Sequence, residues 1–197
     1  AKANGRGRWQ FFDDTMHVAA VSRLTTEADL RRGLAARELV PYFQPIVSLD
    51  PVRVVGYEAL VRWNHPERGV VPPADFLPVA EETGLVIELG THMLEQVCAL
   101  IAARPDITGT FSVNKSPLQI NRPDWRAHFL DTVLSRGVDP GRLVIEVTES
   151  AVLSHIDKVA DDLRHLRTLG IGLHIDDFGT GYSSIALLRD LPVTGIK

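Results

Sequence analysis

The sequence predicts an α/β fold, specifically a (β/α)8 barrel of the TIM type that is incomplete at its carboxyl end, with about six of its strands present. Three observations predict this fold. Beyond residue 110, β-rich and helical segments alternate through short turns, as in a parallel sheet. No GxGxxG motif follows the first strand, which disfavours a dinucleotide-binding sheet. Acidic and amide residues stand near the ends of successive strands, where such barrels carry their functional groups.

Composition narrows the class of protein. The chain has 197 residues, 45% hydrophobic and 23% charged, which is typical of globular proteins. Its formal net charge of −4 gives no basic field for a nucleic-acid polymer. No apolar run approaches the ~20 residues of a membrane-spanning helix, so we expect no membrane contact by this segment. The single cysteine, Cys98, is expected to be a buried residue on a helix. Because one cysteine cannot form an internal disulfide, it favours a reducing, cytoplasmic setting.

Three units are expected along the chain. Residues 1–20, rich in Gly, Arg and aromatic residues, are too short for a core of their own and are expected to be the tail of a preceding domain. Residues 21–40 are expected to be a linker helix, capped at Thr25 and marked by Leu30, Leu34 and Leu39. Residues 41–197 are expected to be the N-terminal part of the barrel, truncated because ~250 residues are typical of the whole fold.

The first half of the barrel is irregular. Strand 42–49 contains Pro45 and is therefore expected at a sheet edge. Strand 52–63 places Glu58 and Arg62 on one face by the period of two. Breaking residues follow this strand, and helices are predicted over 75–82 and over 91–104, where apolar residues recur at helical spacing until Pro105.

The second half repeats one pattern. Strands are predicted at 110–114, 143–147, 171–176 and 193–197, and helices at 124–136, 155–169 and 183–189. In strand 143–147, alternation turns Glu146 away from the helix-facing residues. The same count places His174 and Asp176 on one face of strand 171–176.

These strand ends predict a metal site. The oxygen-bearing residues there are Glu58, Asn114, Glu146, Asp176 and Asp177, and Lys197 lies on the last strand. Converging carboxylates repel one another unless a cation lies between them, and hard oxygen ligands favour Mg²⁺ or Mn²⁺. Adjacent Asp176 and Asp177 can serve two points in space, which fits a two-metal site that hydrolyses phosphate esters. His65 and His174 are assigned structural roles, because histidines in cores and turns outnumber ligands.

From residue 41 onward the chain carries an ordered series of segments, of which DDFGTGYSS is the most specific: 43–46, 58–63, 78–84, 113–116, 146–150 and 176–184. In these segments the chain resembles the EAL-domain family of cyclic di-GMP phosphodiesterases. Residues 1–8 also resemble the end of a GGDEF, or diguanylate cyclase, domain.

The resemblance implies roles for individual residues. Glu58, Asn114, Glu146 and Asp176 would bind the first metal and Asp177 the second, with two ions of Mg²⁺ or Mn²⁺ in all. Lys197 would orient or help activate the attacking water, and Glu58 and Asp176 would also be catalytic residues. Arg62 would bind a phosphate oxygen and Gln44 a guanine edge. Glu149 would hold the loop 178–184.

The implied activity is hydrolysis of cyclic di-GMP to linear pGpG by a cyclic-guanylate-specific phosphodiesterase. The alternative is an inactive EAL module that binds cyclic di-GMP as a sensor. We expect the 197 residues alone to be inactive, because further site residues of the family lie beyond Lys197. A homodimer through the EAL domain and an upstream membrane anchor in the parent protein are compatible with this interpretation. Lys115 stands where the family carries an apolar residue, and we expect its charge to extend past the helices to solvent.

Overall fold

The structure, a computed structural model, describes residues 14–149, 151, 156–179 and 191–197. Its seven described strands form one sheet: β1 (Leu39–Leu49), β2 (Val52–His65), β3 (Gly69–Val71), β4 (Thr110–Asn114), β5 (Leu143–Thr148), β6 (Gly172–Asp176) and β7 (Gly195–Ile196). The order across the sheet is β1-β2-β4-β5-β6-β7, with β3 paired to β2. From β2 to β7 all neighbours in this order are parallel, whereas β1 and β3 run antiparallel to β2.

Helices connect the parallel strands and cover one face of the sheet. They are α1 (Asp14–Ala35), α2 (Leu77–Thr83), α3 (Val86–Ala103), α4 (Pro117–Ile120), α5 (Trp125–Leu134) and α6 (Ile156–Thr168). The predicted helix 183–189 lies outside the described residues, and so does the segment 1–8. The alternation of strand and helix confirms the predicted α/β class.

The start of the linker helix is wrong in the sequence prediction. Helix α1 begins at Asp14 and runs through the expected cap, and Leu39 belongs to β1. Thr25 Oγ1 donates to the backbone oxygen of Val21 at 3.0 Å, so the side chain bonds inside the helix rather than capping it. The helix therefore crosses the expected boundary at residue 20.

The antiparallel part of the sheet contains one strand more than the sequence predicts. Strand β1 lies at the edge, as Pro45 predicts, and its register with β2 shifts between Ile46 and Val47. Strand β3 is absent from the sequence prediction because its three residues include Gly69, which reads as a break. It pairs with the end of β2 in a local hairpin, in which His65 is opposite Gly69, and three residues are too few to show a period of two.

Two apolar cores hold the layers together. The larger lies between the parallel strands and the helices α3, α5 and α6, and Cys98 is fully buried in it, as predicted. The smaller lies beneath α1 and α2 around Trp63, whose ring meets Phe76 edge-on at 5.6 Å. Among the described helices, α3 is long and apolar enough to cross a membrane, but it contributes many buried residues to both cores, which is the pattern of a core helix.

Candidate functional site

The parallel strands bring four predicted site residues together. Glu58 lies on β2, Asn114 ends β4, Glu146 lies on β5 and Lys197 follows β7. Asn114 and Glu146 are direct partners in the parallel register. Alternating neighbours such as Val113 and Ile145 pack into the larger core, so the site residues lie on the face away from the helices. We call these four residues the site cluster.

Hydrogen bonds connect the whole site cluster. Lys197 Nζ donates to Glu58 Oε2 at 2.6 Å and to Glu146 Oε2 at 2.7 Å. Asn114 Nδ2 donates to Glu58 Oε1 at 3.1 Å. Two carboxylates thus share one cation, here an ammonium group, which relieves the repulsion between them.

The ion pairs of the site cluster are partly or wholly withdrawn from water. The Glu146 side chain is fully buried and that of Lys197 is about one third exposed. Burial opposes ionisation of Glu146, but the contacts with His174 and Lys197 outweigh it and hold the pKa of Glu146 below its usual value. Burial also opposes the charge on Lys197, but Glu146 and Glu58 outweigh it and raise the pKa of the lysine. Both groups are therefore charged at neutral pH.

His174 belongs beside the site cluster, although a structural role is expected from the sequence. Its Nδ1 lies 3.6 Å from Glu146 Oε1. It is opposite Gly195 in the register of β6 and β7, where a Cβ atom would come within 2.7 Å of the imidazole ring. The sequence does contain an indication of this position, because His174 shares a strand face with the predicted ligand Asp176. His65 does have a structural role, since its Nδ1 accepts the backbone N–H groups of Glu67 and Arg68.

The two predicted substrate-binding residues lie on strands next to the site cluster. Gln44 is directly opposite Glu58 in the antiparallel register of β1 and β2. Arg62 lies four residues after Glu58 on the same strand, and its Nη1 donates to the backbone oxygen of Val61 at 2.8 Å. Directly opposite residues of a strand pair share a face, so Gln44 and Glu58 project to the same side of the sheet.

Asp176 and Asp177 end β6 at the same edge of the sheet. The register pairs Asp176 with Thr148, two residues beyond Glu146. Asp177 has a positive φ of 55°, and its N–H donates to Asp176 Oδ1 at 3.0 Å. Within the part of the chain that the structure describes, no three His, Cys, Asp or Glu side chains are grouped closely enough to hold a metal ion. The five-residue ligand set therefore stays a prediction.

Glu149 lies just after β5 and contacts the segment that follows β6. Its Oε2 accepts the backbone N–H of Gly179 at 3.2 Å. Strand β5 ends at Thr148, so the side chain is directed by the turn rather than by strand alternation. The contact agrees with a role in holding the start of loop 178–184, of which residues 180–184 lie outside the described part.

A cavity of about 510 Å³ opens beside the site cluster. Asn114, Glu146 and Thr148 line its polar end, and Leu60, Leu89 and Met93 line its apolar end. The volume falls within the range of small-molecule sites, which combine apolar walls with a few polar groups.

The donor set of the site cluster fits a divalent cation. Oε1 of Glu146 is buried and has no hydrogen-bond partner among the described residues. An ionised oxygen in this position is costly unless a cation approaches it. Glu58 and Asn114 add further hard oxygen atoms, the ligands that Mg²⁺ and Mn²⁺ prefer.

The position of the Lys115 side chain differs from the one expected from the sequence. Its side chain is 9% exposed, and its Nζ lies 5.3 Å from the centre of the Phe129 ring instead of extending past the helices. The pKa of Lys115 falls to about 8, because burial disfavours its charged form. The lysine therefore ends within the helical layer, on the opposite side of β4 from Asn114.

Fold and site together define a TIM-type α/β domain in which two carboxylates, an amide and an ammonium group are joined by hydrogen bonds at the carboxyl ends of the strands. The chain belongs to the EAL domain family, whose model matches residues 27–197. The match begins inside helix α1, ahead of the boundary at residue 41 expected from the sequence.

Relatives and solved structures agree with this assignment. The chain is 36% identical over 200 residues to the bifunctional diguanylate cyclase/cyclic di-GMP phosphodiesterase MucR of Pseudomonas aeruginosa, covering all of this chain and 29% of that relative. It matches the solved structure of the PaMucR phosphodiesterase in complex with c-di-GMP at TM-score 0.82 and 35% identity, covering 87% of this chain and 71% of that one.

A second solved structure is the FimX EAL domain from Pseudomonas aeruginosa bound to c-di-GMP. It matches at TM-score 0.78 and 25% identity, covering 87% of this chain and 69% of that one. The chain spans 24–29% of the length of the first three curated relatives that it matches.

Proposed function

We propose that this chain forms most of a cytoplasmic domain that hydrolyses cyclic di-GMP to linear pGpG. The observation that carries the proposal is the site cluster, in which Glu58, Asn114, Glu146 and Lys197 are joined by hydrogen bonds of 2.6–3.1 Å. Its support is the likeness to MucR, which is named as a cyclic di-GMP phosphodiesterase.

Two divalent cations, Mg²⁺ or Mn²⁺, would be held by Glu58, Asn114, Glu146, Asp176 and Asp177. When bound, such cations supply Lewis acidity, which makes water a usable nucleophile near neutral pH and offsets charge that develops on the phosphate. The buried Oε1 of Glu146 has His174 Nδ1 at 3.6 Å but no hydrogen-bond partner among the described residues, which supports this assignment.

The side chains of this domain would orient the reacting groups. Lys197, held between Glu58 and Glu146, donates a hydrogen bond that positions the attacking water. Arg62 binds a phosphate oxygen, and Gln44 contacts a guanine edge. Water attacks one phosphorus atom, the bond to the 3′ oxygen breaks, and a proton passes to that oxygen, leaving a linear dinucleotide. The cavity of about 510 Å³ next to the site cluster would receive part of the substrate.

The second candidate is an EAL module that binds cyclic di-GMP without cleaving it. The similarity to the FimX EAL domain, whose structure is bound to c-di-GMP, favours this candidate. Both candidates use the same cavity, but only hydrolysis requires cations and an attacking water.

The test uses the parent domain extended past Lys197 and measures product formation from cyclic di-GMP by chromatography, with Mg²⁺ or Mn²⁺ and with chelator. We expect metal-dependent pGpG, and a loss of at least ~100-fold in kcat for Glu146→Gln, because removal of a group that supports a metal ligand already costs ~10–100-fold. Glu67→Gln, a change of the same kind at an exposed glutamate, is the matched control. Binding of cyclic di-GMP by a folded sample without any product would establish the sensor candidate instead.

A further inference from the structure

Lys115 is a cation whose side chain is largely buried. It is 9% exposed, and none of the ion pairs among the described residues includes it. Its ammonium group lies over the Phe129 ring at 5.3 Å, a contact that stabilises a cation only weakly. An ammonium group that is withdrawn from water normally has an anion or several hydrogen-bond acceptors beside it. The surroundings of Lys115 described so far do not include one.

A small cavity lies at Lys115, a residue that also lines the large cavity beside the site cluster. Its volume is about 40 Å³, and its walls include Ile87, Leu94, Lys115, Trp125, His128 and Phe129. At ~10–15 Å³ for each water-sized sphere, this is room for roughly three to four non-hydrogen atoms. The cavity lies between α3, α4 and α5, on the helix side of the sheet.

Trp125 is a second hydrogen-bond donor at this cavity. It lines the cavity, and its Nε1–H is buried and has no hydrogen-bond acceptor among the described residues. Asp124 also lines the cavity, but its carboxylate is exposed and already accepts two hydrogen bonds from Arg122, at 3.0 and 2.7 Å. Within the part of the chain that the structure describes, neither the Lys115 ammonium group nor the Trp125 indole N–H has a hydrogen-bond acceptor.

We propose that this cavity binds a short-chain carboxylate of the size of formate or acetate, with its oxygens toward Lys115 and Trp125. A carboxylate supplies the negative charge and two acceptor oxygens in a group of three non-hydrogen atoms. The apolar walls formed by Ile87, Leu94 and Phe129 suit a methyl group and not a second charge. None of the four residues of the site cluster lines this small cavity.

The test follows the indole N–H resonance of Trp125 by NMR while sodium acetate replaces sodium chloride at constant ionic strength. Trp125→Phe assigns the resonance, and Trp63, whose Nε1 donates to Glu38 at 2.9 Å, is the internal reference. We expect a saturable shift of the Trp125 signal alone, with a Kd on the order of 1 mM for so small a ligand. Lys115→Met keeps the chain length, removes the charge and is expected to weaken binding at least tenfold.

Two comparisons separate this site from a general anion effect. Acetamide has the shape of acetate without its charge, so it is expected to leave the Trp125 signal in place. An unchanged Trp63 resonance shows that Lys115→Met is folded. The proposal is overturned if acetate gives no saturable shift, if Lys115→Met binds as tightly as the original protein, or if acetamide or chloride gives the same shift. The test needs neither metal nor cyclic di-GMP, so its result is independent of the proposed function.

Discussion

Lys197 and Glu58 are 139 positions apart in the chain, and their side chains meet in a hydrogen bond of 2.6 Å. Three strands, β4, β5 and β6, lie between their own strands in the sheet. The contact is possible because the parallel sheet curves as in a barrel, so side chains on its concave face converge. The ammonium group thereby becomes the cation shared by Glu58 and Glu146.

Replacing Lys197 is expected to separate catalysis from cation binding. In Lys197→Met, the site cluster loses its own positive charge, so we expect divalent cations to bind more tightly. We expect kcat to fall by about 100-fold, because the group that orients water is gone. Mn²⁺ affinity by electron paramagnetic resonance and kcat by chromatography provide the two readouts. Arg53→Met, at an exposed cation, is the control. Weaker Mn²⁺ binding in Lys197→Met would contradict the assignment.

The contact between Glu149 and Gly179 predicts a positioning role that depends on an acceptor oxygen. Glu149→Ala removes the acceptor of the Gly179 N–H, and we expect kcat to fall by about 10–100-fold. Glu149→Gln retains an amide oxygen at the same distance from the backbone and is expected to recover most of the activity. Equal losses in the two variants would show that the charge of Glu149, and not its hydrogen bond, is needed.

Close packing of α3 against α4 predicts strong coupling between Gly90 and Gln119. A Cβ atom on Gly90 would come 1.6 Å from Gln119 Nε2, and Gln119 Oε1 accepts the Ser116 N–H at 2.9 Å. Gly90→Ala is therefore expected to destabilise the protein by about 1–3 kcal/mol through overpacking. In a Gln119→Ala background the clash is gone, and Gly90→Ala is expected to stabilise the helix by up to about 1 kcal/mol. Urea unfolding of the four proteins tests this reversal, and additive effects would contradict it.

Burial of Lys115 predicts a pH-dependent cost in stability. Its pKa is about 8 in the folded protein against an ordinary 10.5, so the unfolded state binds more protons between these values. Stability of the original protein is thus expected to rise as the pH increases from about 8 to about 10.5, by on the order of 3 kcal/mol. The nearby Cys98 thiol stays neutral through most of this range, because burial raises its pKa to about 11.

Lys115→Met removes the buried charge while keeping a chain of similar length. We expect it to be more stable than the original protein at about pH 7, and the difference to shrink toward about pH 10. Urea unfolding at the two pH values, with chelator and without carboxylate buffers, measures this effect. A constant difference between the two proteins would show that burial of the charge is not the cause.

Local patterns in the sequence predict most of the parallel half of the fold. The bounds of β4 are predicted correctly because Pro105 and Gly109 precede the strand and Ser116-Pro117 follows it. The period of two also predicts which residues of β5 and β6 face the helices. Glycine, proline and the alternation of apolar and polar residues affect the backbone over a few neighbouring residues. A single segment therefore contains all the information needed to predict such a strand.

Contacts between distant segments decide the remainder. The early start of α1 and the burial of Lys115 depend on surfaces formed by other parts of the chain. The sequence by itself determined the family, the strand order of the parallel half and the candidate site residues. Only the tertiary structure decided that Lys197 lies between Glu58 and Glu146 and that His174 lies beside Glu146. Sheet curvature sets these distances, and curvature is a property of all the strands together.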